Sequence, residues 1–123
     1  MTDQVVCTYC GREGHRASHC PQRAKERSIE AYLVERVKAV GGEVRKVQWV
    51  SRGKAPDRLV MLPDLGCPDA HTIWVELKNP ETIKTFPANA HERAQAREHE
   101  RMRELGQRVE VIGTIEGVDA LLA

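Results

Sequence analysis

Aromatic residues are scarce in this 123-residue chain, at 4 %, with one phenylalanine, Phe86. Its core must therefore rest on Val, Leu and Ile. No apolar run approaches the roughly 20 residues of a membrane-spanning helix, and the N-terminus lacks the basic-then-apolar pattern of a signal peptide. A protein without a membrane partner, cytoplasmic and with reduced thiols, is the expectation. Net charge is nearly absent too: 19 Lys and Arg stand against 18 Asp and Glu, leaving +1. Bulk electrostatics thus argue for no nucleic-acid partner, and any such role must come from local sites. There is no internal repeat or low-complexity tract. The length suits one compact domain with a small appendage.

With disulfides unexpected, the four cysteines point to metal or burial. Three of them lie in "CTYCGREGHRASHC", spaced Cys7-x2-Cys10-x4-His15-x4-Cys20. Four soft or borderline ligands so close together can close a tetrahedral Zn²⁺ site, and in so short a segment the metal must supply the folding energy. His19 adjoins a ligand, but only His15 fits the spacing. The segment resembles the CCHC zinc knuckle, sharing Gly11 after the second cysteine, Gly14 before the histidine and Pro21 after the last cysteine. The resemblance implies binding of single-stranded nucleic acid, with Tyr9 stacking on bases and Arg12 and Arg16 near phosphates. A protein-binding or purely structural knuckle is the other reading. Residues 1–27 hold five Arg or Lys against three acids, and the remainder is slightly acidic.

The basic stretch "PQRAKER" reads as a linker or the start of a helix. Boundaries are drawn at 1–22 for the knuckle, 23–27 for a linker and 28–123 for the main domain. "SIEAYLVERVKAV" predicts a helix with Ser28 as N-cap and Ile29, Leu33, Val37 and Val40 as its apolar stripe, ended by Gly41-Gly42. "EVRKVQWV" predicts a strand with room for a bulge, because Val44 and Val47 are out of phase. "DRLVML" and "TIWVEL" predict a strand pair close enough to form a hairpin. "NPETIKTFPAN" is an irregular loop. "AHERAQAREHERMREL" is a strong helix stopped by Gly106. "RVEVIGT" is a strand, and "EGVDALLA" a final helical turn or two. The expected class is α/β, in the order helix, three strands, helix, strand.

Two of the core strands carry charges. Asp57 opens the first, and Glu76 and Lys78 close the second. Residues two apart on a strand share a side, so Glu76 and Lys78 project together while Leu77 faces the opposite layer. Antiparallel pairing brings the start of one strand to the end of its neighbour, which puts Asp57 near Glu76. Two carboxylates at one point need a cation, and hard oxygen ligands select Mg²⁺ or Mn²⁺. A lysine beside them can orient an attacking water or stabilise charge on a phosphate. The apparatus suits metal-assisted phosphodiester hydrolysis. An isolated E-x-K is more often a surface ion pair, so the rest of the chain must carry the choice.

"PD" followed by "VELK" is similar to the PD-(D/E)xK restriction-endonuclease-like core, whose element order is the one read above. More narrowly, residues 28–122 resemble the VRR-Nuc branch in its small stand-alone form, common in phages and bacteria. The matching pieces are "IEAYLVERVKAVGG", "RGKAPDRLVMLP", "WVELK", a helix containing Gln95, and "LG" before a strand. The resemblance implies Asp57 and Glu76 as metal acids, Lys78 as catalytic lysine, Glu30 as the glutamate of the first helix and Gln95 as the glutamine of the second. Helical geometry agrees on Glu30, about 65° from the centre of the apolar stripe, whereas Glu35 is about 155° away and faces solvent. Gln95 shares a face with Met102. A Mg²⁺-dependent, structure-selective DNA endonuclease is implied, with branched DNA, four-way junctions included, as substrate. A homodimer is expected, in the host cytoplasm if the chain is phage-encoded. A catalytically silent nucleic-acid-binding module is the alternative. Arg52, Lys54, Arg58 and Lys84 flank the site as candidate phosphate contacts. Asp64 and Asp69 share the "PD" spelling but read as turn formers. Cys67 reads as a free thiol, His71 as a weak candidate base, and Trp49 and Trp74 as core or subunit-contact residues.

Overall fold

The computed structural model describes residues 13–14, 21–49, 53–63 and 72–123. The zinc ligands Cys7, Cys10, His15 and Cys20 lie outside the described residues, as do Tyr9, Arg12, Arg16, His19, Arg52, Asp64, Cys67, Asp69 and His71. The element order is α1 (Pro21–Ala39), β1 (Glu43–Lys46), β2 (Arg58–Met61), β3 (Thr72–Leu77), α2 (Ala90–Glu104), β4 (Val109–Ile112) and α3 (Ile115–Leu122). That is the expected helix, three strands, helix, strand, closed by a short helix.

One helix start is corrected. The first helix begins at Pro21 rather than Ser28, so of the two readings of residues 23–27 the start of a helix is the one seen. Proline suits a first turn because its missing N–H has no intrahelical acceptor there. The Gln, Arg, Ala, Lys and Glu that follow are good helix formers. Ser28 therefore sits inside the helix and is not its N-cap. Its N-cap signal is local, and continuing helix propensity overrides it.

Ile29, Leu33 and Val37 form the buried stripe of α1. They meet Val60 of β2, Ile73, Val75 and Leu77 of β3, Ile112 of β4, and Val118 and Leu121 of α3. Each such side chain contributes on the order of 1.5–3 kcal/mol by leaving water. The two long helices end alike. Gly41 and Gly106 take positive φ (86° and 84°), which lets the next amide bond back into the last turn. Gly42 N–H donates to Val37 O at 2.9 Å, and Gln107 N–H donates to Met102 O at 3.0 Å.

The sheet order is β1-β2-β3-β4. The first two pairings are antiparallel and β3–β4 is parallel, with α2 as the crossover. The β1–β2 ladder is regular from Glu43↔Met61 to Lys46↔Arg58, so it holds no bulge. β1 is shorter than expected; beyond it Val47 N–H still donates to Asp57 O at 2.9 Å. Along β3, Ile73, Val75 and Leu77 face the core. Trp74, Glu76 and Lys78 therefore project from the other face, towards α2. Trp74 meets Trp49 edge to face at 6.5 Å, and its indole N–H donates to Gln107 Oε1 at 3.0 Å.

Candidate active site

The β2–β3 register pairs Arg58 with Val75. One step further along, Asp57 stands opposite Glu76. The two carboxyl groups are close enough for Asp57 to perturb the titration of Glu76, and Asp57 Oδ2 accepts the Leu77 N–H at 2.9 Å. Glu76 is 1 % exposed. Burial, and then the Asp57 carboxyl beside it, push its pKa far above the usual carboxylate range.

α2 supplies the opposite wall. Glu92, Gln95 and His99 fall at i, i+3 and i+7, on one face of the helix. Lys78 Nζ donates to Gln95 Oε1 at 2.9 Å and lies 3.2 Å from Glu92 Oε2. The Lys78 ammonium also sits 5.0 Å from the centre of the Phe86 ring. Glu92 is fixed in turn: its Oε1 accepts the Ala88 N–H at 2.9 Å, while its own N–H donates to the N-cap Asn89 Oδ1 at 2.8 Å. His99 Nε2 lies 3.5 Å from Glu76 Oε1. Burial, then the positive charges of Arg103 and Lys78, lower the His99 pKa to about 4, which keeps its ring neutral.

α1 closes the third side. Glu30 Oε1 receives a forked contact from Arg58, with Nη2 at 2.6 Å and Nε at 3.2 Å. Arg58 is 12 % exposed and donates also to Asp57 O at 2.9 Å. Glu30 is therefore matched to a guanidinium at the rim, and Arg58 is tied inside the protein. One turn earlier on α1, Glu26 has its pKa raised to about 7, by burial and then by the Asp57 charge. Glu35 is exposed.

Of the sequence-predicted residues, the fold thus brings Asp57, Glu76, Lys78 and Gln95 into one group and sets Glu30 beside it. Lys54 sits apart, at positive φ, with Nζ against His91 Nδ1. It lines an open cleft of about 710 Å³ with Arg97 and Arg101 of α2, and with the acids Glu98 and Glu104. Lys84 is exposed on the 3₁₀ turn Thr82–Thr85. Glu26, Glu92 and His99 join the site without belonging to any motif of the sequence. Helical spacing holds the signal for each: Glu26 is four residues before Glu30, and Glu92 and His99 flank Gln95 by three and four.

Among the described residues no three of His, Cys, Asp and Glu converge as a ready-made cage. The acids at the centre are a pair. That suits a Mg²⁺-like ion, which keeps several waters and takes one or two carboxylates. Glu76 Oε1 is buried without a hydrogen-bond partner, and two adjoining carboxyls gain from a cation between them. The donor set fits a hard divalent ion.

Comparison with known proteins places this geometry. The zinc-knuckle family model (zf-CCHC) matches residues 5–22. The protein named "Putative nuclease p44" of Acyrthosiphon pisum secondary endosymbiont phage 1 is 39 % identical over 88 residues, spanning 72 % of this chain and 82 % of that protein. A solved structure of a "VRR_NUC domain" matches with a TM-score of 0.62 and 38 % identity, over 80 % of this chain and 94 % of that one. The chain belongs to the VRR-Nuc nuclease family, and it carries a CCHC zinc knuckle at its N-terminal end.

Proposed function

We propose that this nuclease is a Mg²⁺- or Mn²⁺-dependent endonuclease acting in the cytoplasm on branched DNA, four-way junctions among them. The observation that carries the reading is the juxtaposition of Asp57 and buried Glu76 by the β2–β3 register, with Lys78 on the same strand face. Asp57 and Glu76 are the protein donors to the cation. When bound, such an ion polarises the scissile phosphodiester and makes a bound water more acidic. Lys78 donates from Nζ to the attacking water or to a non-bridging phosphate oxygen, offsetting charge that develops there. Gln95 and Glu92 hold the ammonium in place. Glu30 anchors Arg58 against the carbonyl of Asp57, which steadies the strand entry where the first acid sits. Glu26 adds a further acid at the mouth. Lys54, Arg97 and Arg101 give a DNA arm a cationic flank, with Arg52 and Lys84 as further phosphate contacts. The knuckle, residues 1–22, holds Zn²⁺ through Cys7, Cys10, His15 and Cys20, and it takes single-stranded DNA with Tyr9, Arg12 and Arg16. A homodimer suits the symmetry of a four-way junction.

The test is cleavage of labelled four-way junctions, single strands and duplexes with Mg²⁺, by wild type and by Lys78→Ala. Wild type should cut the junction best, and Lys78→Ala should lose roughly 10²–10⁴ in rate. Equal cleavage by the two proteins, or no cleavage of any substrate by wild type, would sink the reading.

A further inference from the structure

His99 belongs to no motif of the sequence, and the chemistry above does not use it. Its imidazole is 1 % exposed, on a helix whose outer face is arginine and glutamate. Neither ring nitrogen has a hydrogen-bond partner among the described residues. A buried polar atom left so is costly. One other atom in the same place is in the same condition: Glu76 Oε1, 3.5 Å from Nε2. A donor and an acceptor, both buried and both unmatched, thus face each other across a gap about 0.5 Å longer than a formed N–H···O bond. A carboxylate held ionised by a cation is the stronger acceptor.

The other members of the site already have anchors. Asp57 is held by the Leu77 N–H, and Lys78 by Gln95 and Glu92. Glu76, with the longest path from backbone to oxygen of the two acids, has no such anchor at Oε1. The His99 ring is backed by Phe86, stacked at 6.1 Å and 27°, which keeps it from swinging away from β3. A residue chosen only to fill this space would gain nothing from two ring nitrogens.

We propose that His99 is the positioning residue of Glu76. Its Nε2–H donates to Oε1 and fixes the rotamer in which the carboxylate, beside Asp57, meets the divalent ion. The proposal rests on the metal-dependent reading of Asp57 and Glu76. Partners of metal ligands in this role typically matter 10–100-fold in metal affinity.

The experiment measures Mn²⁺ binding to the full chain by calorimetry, with urea midpoints alongside, for wild type, His99→Phe and His99→Gln. His99→Phe keeps an aromatic ring against Phe86 and removes both unmatched nitrogens. It should stay folded while binding Mn²⁺ roughly 10–100-fold more weakly. In junction cleavage its half-saturating Mn²⁺ concentration should rise by the same factor, with little change in kcat at saturating metal. His99→Gln, which can place an amide N–H near the position of Nε2, should recover most of the affinity. If the larger ring of His99→Phe does not fold, His99→Leu makes the same comparison. Wild-type affinity in folded His99→Phe or His99→Leu overturns the proposal. So does an equal drop in His99→Gln and the apolar variant. Absence of Mn²⁺ binding by wild type overturns the metal-dependent reading itself, and the positioning role with it.

Discussion

Lys78 is only as useful as the groups that hold its ammonium, and these are two side chains from a single face of α2. Glu92 is the charged one, 3.2 Å away and itself tied to the Ala88 N–H. Glu92→Gln keeps the shape and removes the charge. It should lower kcat by about tenfold, the equivalent of about 1.4 kcal/mol, while Mn²⁺ affinity stays at the wild-type value, since neither carboxyl of the central pair is touched. Single-turnover cleavage and calorimetry check the two halves. Asp57→Asn separates the acids from the lysine in the other direction. It removes one negative charge from beside buried Glu76, so the metal-free variant should melt no lower than wild type. Millimolar Mg²⁺ should raise the wild-type Tm and leave the variant's unchanged, because a ligand stabilises only the state that binds it. At this scale Asp57, Glu76 and Lys78 can be placed near one another from sequence, because strand alternation and hairpin register suffice. Their contacts with Glu92 and His99 cannot, because those cross from strand to helix and depend on how α2 rotates about its axis.

α2 is the element that converts the ends of the two inner strands into a site, so its first turn matters beyond its length. Asn89 is its N-cap, accepting the Glu92 N–H at 2.8 Å. Glu92 returns a bond to the Ala88 N–H, so cap and active-site acid are one small network. Asn89→Ala should cost about 1 kcal/mol of stability, read as a lower urea midpoint. It should also reduce kcat in folded protein, as the first turn frays and Glu92 loses its hold on Lys78. Asn89→Asp, which keeps the accepting oxygen, should restore both. A lower midpoint with unchanged kcat would show that the cap and Lys78 are not coupled. Elements are legible in the sequence where punctuation and periodicity coincide. α2 ends in the glycine turn at Gly106, and β3 spans "TIWVEL" as expected. They are poorly legible where a weak local signal speaks alone. A serine before an apolar stripe looks like a cap, and it hides the true helix start at Pro21. Glu26 is hidden with it, because a residue assigned to a linker has no face.

At the scale of the whole molecule, the chain joins a basic, cysteine-rich N-terminal segment to a nuclease domain whose own net charge is slightly negative. Such a domain gains little from general attraction to DNA. On the reading proposed above, its affinity comes from local cations and from the knuckle. The two metals should therefore have separable effects. On the same reading, Cys10→Ser in the full chain should take away one thiolate of the proposed four-ligand set, and with it the Zn²⁺ expected to fold so short a segment. The nuclease core has its own apolar cluster of α1, α3 and the sheet, so its melting transition and its Mn²⁺ affinity should persist. DNA binding should weaken, most for junctions with single-stranded arms, and KM should rise several-fold while kcat is nearly kept. The salt dependence should also become shallower, by about one unit of log K per log salt for each phosphate no longer neutralised. Arg12 and Arg16 are the proposed neutralising groups, so on single strands the slope should fall by about 1.4. Removing Mg²⁺ from the wild type should do the reverse, abolishing cleavage while leaving DNA bound. A Cys10→Ser protein with unchanged KM on every substrate would assign the knuckle to something other than the nuclease's DNA. A fall in kcat matching that of Lys78→Ala would mean that the knuckle helps to build the active site rather than to deliver its substrate.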